Sequence, residues 1–250
     1  MYSLPDHIVK LIKTGRPSEI SEALRNCIVQ SLTHKVYNDA VYALLALSSS
    51  EEQLVKELHQ TGGSSGLSIV RLALTVAQIS GDYCLVADTL SMLAWMLLAI
   101  GDEIGAFQAI NQAISYTGVG DDQELLTRLY SQRLSMKRSS NNPEDINLDV
   151  QILSEKSIEN QDFRQLFFCA ITLADHNPTD AITLLNKAEE ILNNLDLNKL
   201  EALSDEDTVL IRVSSKNEVS KSTKGSGDAL RAKWLSLIQK RRDSLTSDAI

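Results

Sequence analysis

The residue types that most often carry out catalysis or bind metals are few in this chain and lie far apart. The three cysteines, Cys27, Cys84 and Cys169, each have apolar neighbours and form no CxxC pair. The four histidines show neither the HxxxH nor the HExxH spacing that places metal ligands on one helix face. We therefore predict no metal site and no cofactor, and interpret the cysteines as small buried side chains in a reducing cytoplasm.

The sequence also has no phosphate-binding motif, since neither GxxxxGK[ST] nor GxGxxG occurs in it. The glycine-rich stretch 62–66 lacks a lysine and has no strand leading into it, so we interpret it as a plain loop. Pairs of carboxylates at Asp102–Glu103 and Asp121–Asp122 stand where helices are expected to begin, and there they stabilise the positive end of a helix. We expect no catalytic residues and no enzyme.

Charge is unevenly distributed along the chain. The formal net charge is −9, and residues 36–130 hold 11 acidic and 3 basic side chains. Such a segment repels the phosphate backbone of nucleic acids and favours a basic protein or peptide partner. Candidate partner-binding residues in it are Asp102, Glu103 and Asp121.

The C-terminal end carries the opposite charge in the cluster Lys240, Arg241 and Arg242. Two interpretations remain open. The cluster could dock on nucleic acid, an anionic membrane or an acidic partner. Alternatively, Trp234 packs on the helical body and the basic side neutralises acidic groups there. The three basic residues are therefore our second set of candidate binding residues.

The elements that position these residues are predicted to be helices. Apolar residues recur at helical spacing through most of the first 200 residues, and the chain has only 11 Gly and 4 Pro. Helices over 69–79, 84–100 and 104–116 are separated only by short connections that contain Ser80-Gly81-Asp82 and Gly101-Asp102-Glu103, which forces neighbours to run antiparallel. The sequence thus predicts an all-α fold of stacked antiparallel helix pairs.

The middle helix, 84–100, is apolar almost all round, which places it at the centre of the fold. Ser50 to Gln53 has the pattern of a capping box and predicts that a new helix begins there, one that Gly62 and Gly63 would end. We expect a helical domain over 1–200, a polar linker over 201–227 and a basic amphipathic helix over 228–250. The longest apolar run has nine residues, against the ~20 of a membrane span.

Two antiparallel helices that meet at Gly101-Asp102, with small residues at fixed places, resemble the tetratricopeptide helical repeat. Residues of the first helix at the repeat spacing are Leu90, Leu93, Ala94 and Leu97, and those of the second are Ala106, Ile110 and Ala113. The resemblance implies an irregular tetratricopeptide-like bundle or short solenoid.

A narrower resemblance covers residues 38–135. The stretches 38–45, 90–102 and 109–114, together with Ala106, are similar to the helical C-terminal part of an uncharacterised, mainly actinobacterial family of unknown function. This resemblance implies no activity. From the sequence we expect a non-catalytic protein-interaction or scaffold module. The alternative is a factor that binds nucleic acid or an anionic surface through its C-terminal helix.

Overall fold

The computed structural model describes residues 6–57, 64–139, 146–197, 200 and 227–247, and its regular elements there are all α-helices. The prediction of an all-α fold is therefore confirmed. The helices of the described ranges are α1 (Asp6–Thr14), α2 (Pro17–Thr33), α3 (Tyr37–Glu57), α4 (Ser64–Ser80), α5 (Tyr83–Ala99), α6 (Glu103–Gly120), α7 (Gln123–Ser139), α8 (Ile146–Glu159), α9 (Phe163–Leu173), α10 (Pro178–Asn194) and α11 (Gly227–Ser247).

The chain divides into two compact units, Met1–Met136 and Lys137–Ile250. The boundary falls in the last turn of α7, within the predicted 1–200 domain, and α11 belongs to the second unit. The predicted linker over 201–227 lies, except for Gly227, outside the described residues.

In the first unit, helices that follow one another along the chain pack against each other. The most extensive contacts join α5 to α6, α3 to α4 and α2 to α3, and α5 also contacts α3 and α4. Eight of the 17 residues of α5 are buried: Leu85, Val86, Ala87, Thr89, Leu90, Leu93, Ala94 and Leu97. The predicted central position of this helix is confirmed for these residues, because a helix with neighbours on three sides buries most of its circumference.

Turns of one design recur at 20-residue intervals and set the direction of each helix. The backbone is left-handed at Gly81, Gly101 and Asp121, with φ of 73°, 85° and 54°. An aspartate follows each of them and accepts a hydrogen bond from an amide of the next first turn, at 2.9 to 3.0 Å: Asp82 from Cys84, Asp102 from Gly105 and Asp122 from Leu125. The left-handed residue ends one helix and the aspartate begins the next, as the two predicted glycine–aspartate turns require.

The helix predicted to begin at Ser50 does not begin there. Helix α3 runs without interruption from Tyr37 to Glu57, so this prediction is wrong. The hydroxyls of the preceding Ser48 and Ser49 donate to the carbonyl of Leu45 at 2.7 and 3.3 Å. Serine in this helix is satisfied by the preceding turn, and a serine-rich stretch therefore does not mark a helix start. Gly62 and Gly63 lie outside the described residues.

The second unit is built on α9, whose residues from Leu166 to Leu173 are all buried. Helix α9 packs on α8 and α10, and α11 packs on α10. Trp234 of α11 meets Phe163 and Phe167 edge to face, with ring centroids 5.2 and 5.5 Å apart, and is only 1% exposed. Edge-to-face pairs place the positive rim of one ring on the negative face of another, so these contacts fix α11 on the body of the unit.

A buried ion pair lies at the beginning of this unit. The Lys137 Nζ is 3.1 Å from the Asp149 Oδ2, and the two side chains are 12% and 0% exposed. An aspartate with no solvent contact needs such a partner, because an unpaired buried charge is costly. The pair therefore ties the end of α7 to α8.

Nothing in the described ranges has both the length and the apolar character of a membrane-spanning helix.

Candidate functional site

One stripe of the central helix α5 is not covered by the core. Cys84, Asp88, Ser91 and Trp95 follow at steps of four, three and four residues, which places them on one helix face. Trp95 is 42% exposed, and the other three are half-buried. The central, buried position predicted for α5 does not extend to this stripe. Asp88 and Ser91 interrupt the apolar pattern there, and their polar atoms need partners other than core side chains.

Asp88 connects three helices of the first unit. The Tyr42 hydroxyl of α3 donates to Asp88 Oδ2 at 3.3 Å. The Arg128 Nη2 of α7 donates to Asp88 Oδ1 at 2.7 Å, and the Arg128 side chain is 60% exposed. The carboxylate is thus shared by α3, α5 and α7, while Arg128 stays largely in solvent, where an ion pair is worth little.

One turn further along α5, Ser91 holds α7 in register. The Ser91 hydroxyl donates to Gln132 Oε1, and Gln132 Nε2 donates to the Ser91 carbonyl at 2.8 Å. Gln132 is buried. Because both ends of a buried amide are satisfied here, the contact fixes how α7 lies beside α5.

A cleft of about 420 Å³ opens at the Asp88 end of the stripe. Its walls carry three carboxylates and one guanidinium, an excess of two negative charges, over buried leucines. The lining residues are Tyr42, Cys84, Leu85, Asp88, Asp122, Glu124, Leu125 and Arg128. An apolar floor with negative walls suits a long cationic side chain, whose methylene stem and charged end need different surroundings.

The negative charge of the cleft affects the pKa values of its titratable groups. Burial, followed by the Asp88 carboxylate and its hydrogen bond, raises the pKa of Tyr42 to about 12, although Arg128 acts in the opposite direction. Burial also raises the pKa of Cys84, with further contributions from Asp122 and Asp82. A cysteine with a raised pKa carries little thiolate at neutral pH and is a poor nucleophile. The Cys84 thiol therefore supplies no reactive nucleophile to the cleft.

The acidic residues selected from the sequence lie at the two ends of α6. Asp102 is the N-cap, exposed Glu103 lies in the first turn, and Asp121 is the C-cap. A helix of 18 residues separates Asp102 from Asp121 by about 27 Å. The structure does not bring these two together, but Asp121 adjoins Asp122, which lines the cleft.

The basic residues singled out from the sequence lie on α11 and face carboxylates of their own unit. Arg242 Nη2 pairs with Glu189 Oε2, Arg241 Nη2 lies 3.9 Å from Asp175 Oδ1, and Lys240 is exposed. Together with buried Trp234, this arrangement agrees with the second interpretation of the cluster, in which the tryptophan docks and the basic side meets acidic groups.

Arg138 adds a further positive charge beside this part of α11. Burial lowers the pKa of its guanidinium, Asp175 raises it, and Arg241 lowers it. Asp175 thus acts on two guanidinium groups. The surroundings of Arg241 include a cation as well as a carboxylate, and its side chain remains 35% exposed.

A second cleft, of about 440 Å³, lies along α2. Its lining contains Cys27, Ser31, His34 and Asp39. The Cys27 sulfur lies 3.9 Å from the Ser31 hydroxyl. Within the described ranges, no three His, Cys, Asp or Glu side chains are placed to hold a metal ion.

The sequence interpretation missed most of the acidic cleft: Tyr42, Asp88, Glu124 and Arg128. A signal was present, because Asp88 is the only charged residue of α5 and lies four residues from Cys84 and seven from Trp95. An isolated charge in an apolar helix indicates a stripe that leaves the core.

No protein-family model matches the chain. No curated protein matches it in sequence either.

Proposed function

We propose that this protein is a non-catalytic interaction module that binds a basic peptide or protein segment between α3, α5 and α7. The observation that carries the proposal is the cleft at Asp88, whose lining has three carboxylates against one guanidinium over an apolar floor. Complementary charge steers a partner and selects against acidic ones, while the apolar floor contributes affinity.

The order of the helices supports this proposal. α3, α5 and α7 all contribute to the cleft, whereas the intervening α4 and α6 do not. In stacked helical repeats, alternate helices line one surface, and side chains on that surface bind the partner. The proposed tetratricopeptide-like character of the chain rests on this alternation together with the spacing around Gly101-Asp102.

Two further parts of the proposal rest on the cysteines. Cys27, Cys84 and Cys169 are free, which favours a reducing compartment, and we place the protein in the cytoplasm on that basis. Burial raises the pKa of Cys169 to about 12. Cys169 and Cys84 are therefore poor nucleophiles, which supports a role without catalysis.

The test compares two synthetic peptides of equal length, one rich in lysine and arginine and one in which glutamate replaces every basic residue. We expect only the basic peptide to bind, and its Kd to rise steeply with salt, since the attraction is screened. Fluorescence anisotropy of labelled peptides at several salt concentrations measures this difference.

A matched pair of variants locates the binding surface. Asp122→Asn with Glu124→Gln removes two cleft charges, and asparagine still caps α7; we expect a five- to tenfold weaker Kd. Glu103→Gln removes an exposed carboxylate outside the cleft and is expected to change the Kd less than twofold. Equal effects of the two variants, or equal binding of the acidic peptide, would overturn the proposal.

The alternative, binding of nucleic acid or an anionic surface through α11, has less support. Arg242 is paired with Glu189, and Arg241 lies near Asp175. Retention on heparin that is lost in a Lys240→Ala, Arg241→Ala, Arg242→Ala variant would favour this alternative over the one proposed.

A further inference from the structure

The stripe on α5 continues beyond the acidic cleft to an exposed tryptophan. Trp95 lies one turn past Ser91 on the same helix face and is 42% exposed, whereas the opposite face of α5 is buried. Met92 and Met96, also on α5, are half-buried. A large aromatic side chain held on a rigid central helix is the kind of residue that dominates binding at protein interfaces.

The two ends of the stripe are separated by a fixed distance. Asp88 and Trp95 are seven residues apart on one helix, which corresponds to about 10.5 Å along its axis. A peptide in the polyproline II conformation advances about 3.1 Å per residue and completes a turn in three residues, so three residues cover most of this distance. Side chains of residues i and i+3 of such a peptide lie on the same side of it and can therefore reach both ends of the stripe.

We propose that the partner of this surface carries a lysine or arginine for the acidic cleft and, three residues away, an aromatic or large aliphatic side chain that packs on Trp95. This inference rests on the proposed function and adds a second, apolar contact to it. The first contact selects by charge, and the second supplies buried apolar area, which salt does not weaken.

Ser91 and Gln132 explain why the two contacts act together. Their hydrogen bonds join α5 to α7 between the Asp88 and Trp95 levels of the stripe. Both ends thus lie on a surface that is already held in place, and a partner binds it without first ordering it.

The experiment uses the full chain and four labelled peptides of alanine, serine and glycine. The first contains one arginine pair; the second and third add a phenylalanine three residues after or before the pair; the fourth keeps the phenylalanine alone. We expect the second or third peptide to bind about tenfold more tightly than the first. The fourth peptide, which lacks arginine, should bind more weakly than the second or the third.

Variants separate this inference from the proposed function. Trp95→Ala should abolish the tenfold gain but leave binding of the arginine-only peptide unchanged, and Trp95→Phe should keep most of the gain. Ile104→Ala, which removes an apolar side chain that is 75% exposed on α6, serves as the control and should change neither. Far-UV circular dichroism checks that each variant is folded.

Two results overturn the inference while the proposed function stands. One is equal affinity of the first, second and third peptides, and the other is an undiminished gain in Trp95→Ala. If no arginine-containing peptide binds in a salt-dependent manner, the proposed function and this inference fail together.

Discussion

The acidic cleft on α5 and the basic side of α11 are both charged, but they differ in how far neighbouring groups of opposite charge neutralise them. On α11, Arg242 pairs with Glu189, and Arg241 lies near Asp175. In the cleft, Asp88 has Arg128, while Asp122 and Glu124 add two carboxylates to the same walls. The comparison shows that the fold can pair a run of like charges with carboxylates of the same unit, whereas it can bring carboxylates that are distant in sequence together in excess.

The two tryptophans show the same contrast for apolar side chains. Trp234 is 1% exposed between Phe163 and Phe167, whereas Trp95 is 42% exposed beside the cleft. One fastens its helix to the body of the second unit, and the other leaves a ring available to a partner.

The largest effect is expected from truncating the buried tryptophan, Trp234, and the exposed Trp95 provides the comparison. Trp234→Ala removes a fully buried ring and should lower the free energy of unfolding by about 4 kcal/mol. Trp95→Ala should cost about 1 kcal/mol or less, because much of its ring is already in solvent. Unfolding in guanidinium chloride, followed by far-UV circular dichroism, measures both changes. Equal losses would mean that Trp95 is a core residue, and the contrast between the two regions would disappear.

A smaller effect is expected from the ion pairs. Asp149→Asn removes the buried carboxylate that pairs with Lys137 and should lower the free energy of unfolding by about 3 kcal/mol. Arg128→Ala breaks a pair whose arginine is 60% exposed and should cost less than about 1 kcal/mol.

Arg128→Ala also tests how the excess negative charge of the cleft affects its affinity for the basic peptide. Without its guanidinium, the cleft has three carboxylates and no cation in its lining, so the basic peptide should bind two- to fivefold more tightly. The same anisotropy titration measures this change. Weaker binding in Arg128→Ala would show that Arg128 itself contacts the partner.

The smallest effect concerns the titration of Tyr42. Its pKa in the folded protein is raised to about 12 from an ordinary value of 10.0, first by burial and then by the Asp88 carboxylate. The raised pKa means that the folded state favours the neutral Tyr42 hydroxyl. Its contribution to the free energy of unfolding is therefore fully present below pH 10 and is lost between pH 10 and about 12.

The chain has six tyrosines, so the ionisation of Tyr42 must be separated from that of the others. The variant Tyr42→Phe provides the reference for this measurement. The difference in ultraviolet absorbance between the protein and this variant isolates the ionisation of Tyr42, and its midpoint should lie near pH 12. A midpoint near pH 10 would show that Tyr42 is neither buried nor held by Asp88, and the polar contact between α3 and α5 would lose its support.

Much of the fold could be predicted because it follows from local rules. The glycine–aspartate turns at 81–82 and 101–102 combine a residue that tolerates positive φ with one that caps the next helix, so both could be recognised. The capping box at Ser50 failed because a local pattern cannot reveal that α3 continues; its course depends on contacts with α2 and α4.

The candidate site could be predicted only in part. The acidic character of residues 36–130 indicated a basic partner for this segment, but the residues chosen, Asp102 and Asp121, stand at opposite ends of α6. Tyr42, Asp88 and Arg128 are separated by 46 and 40 residues along the chain. Contacts across such separations depend on helix packing, which periodicity does not specify.

Local sequence patterns were enough to predict the helices beside the glycine–aspartate turns and the negative charge of the first unit, since these depend on residues a few positions apart. The tertiary structure decided which charges meet a partner and which remain in excess. It also decided that one tryptophan is buried and the other exposed. These outcomes depend on which helix faces pack together, and that choice minimises exposed apolar area over each whole unit rather than over any one segment.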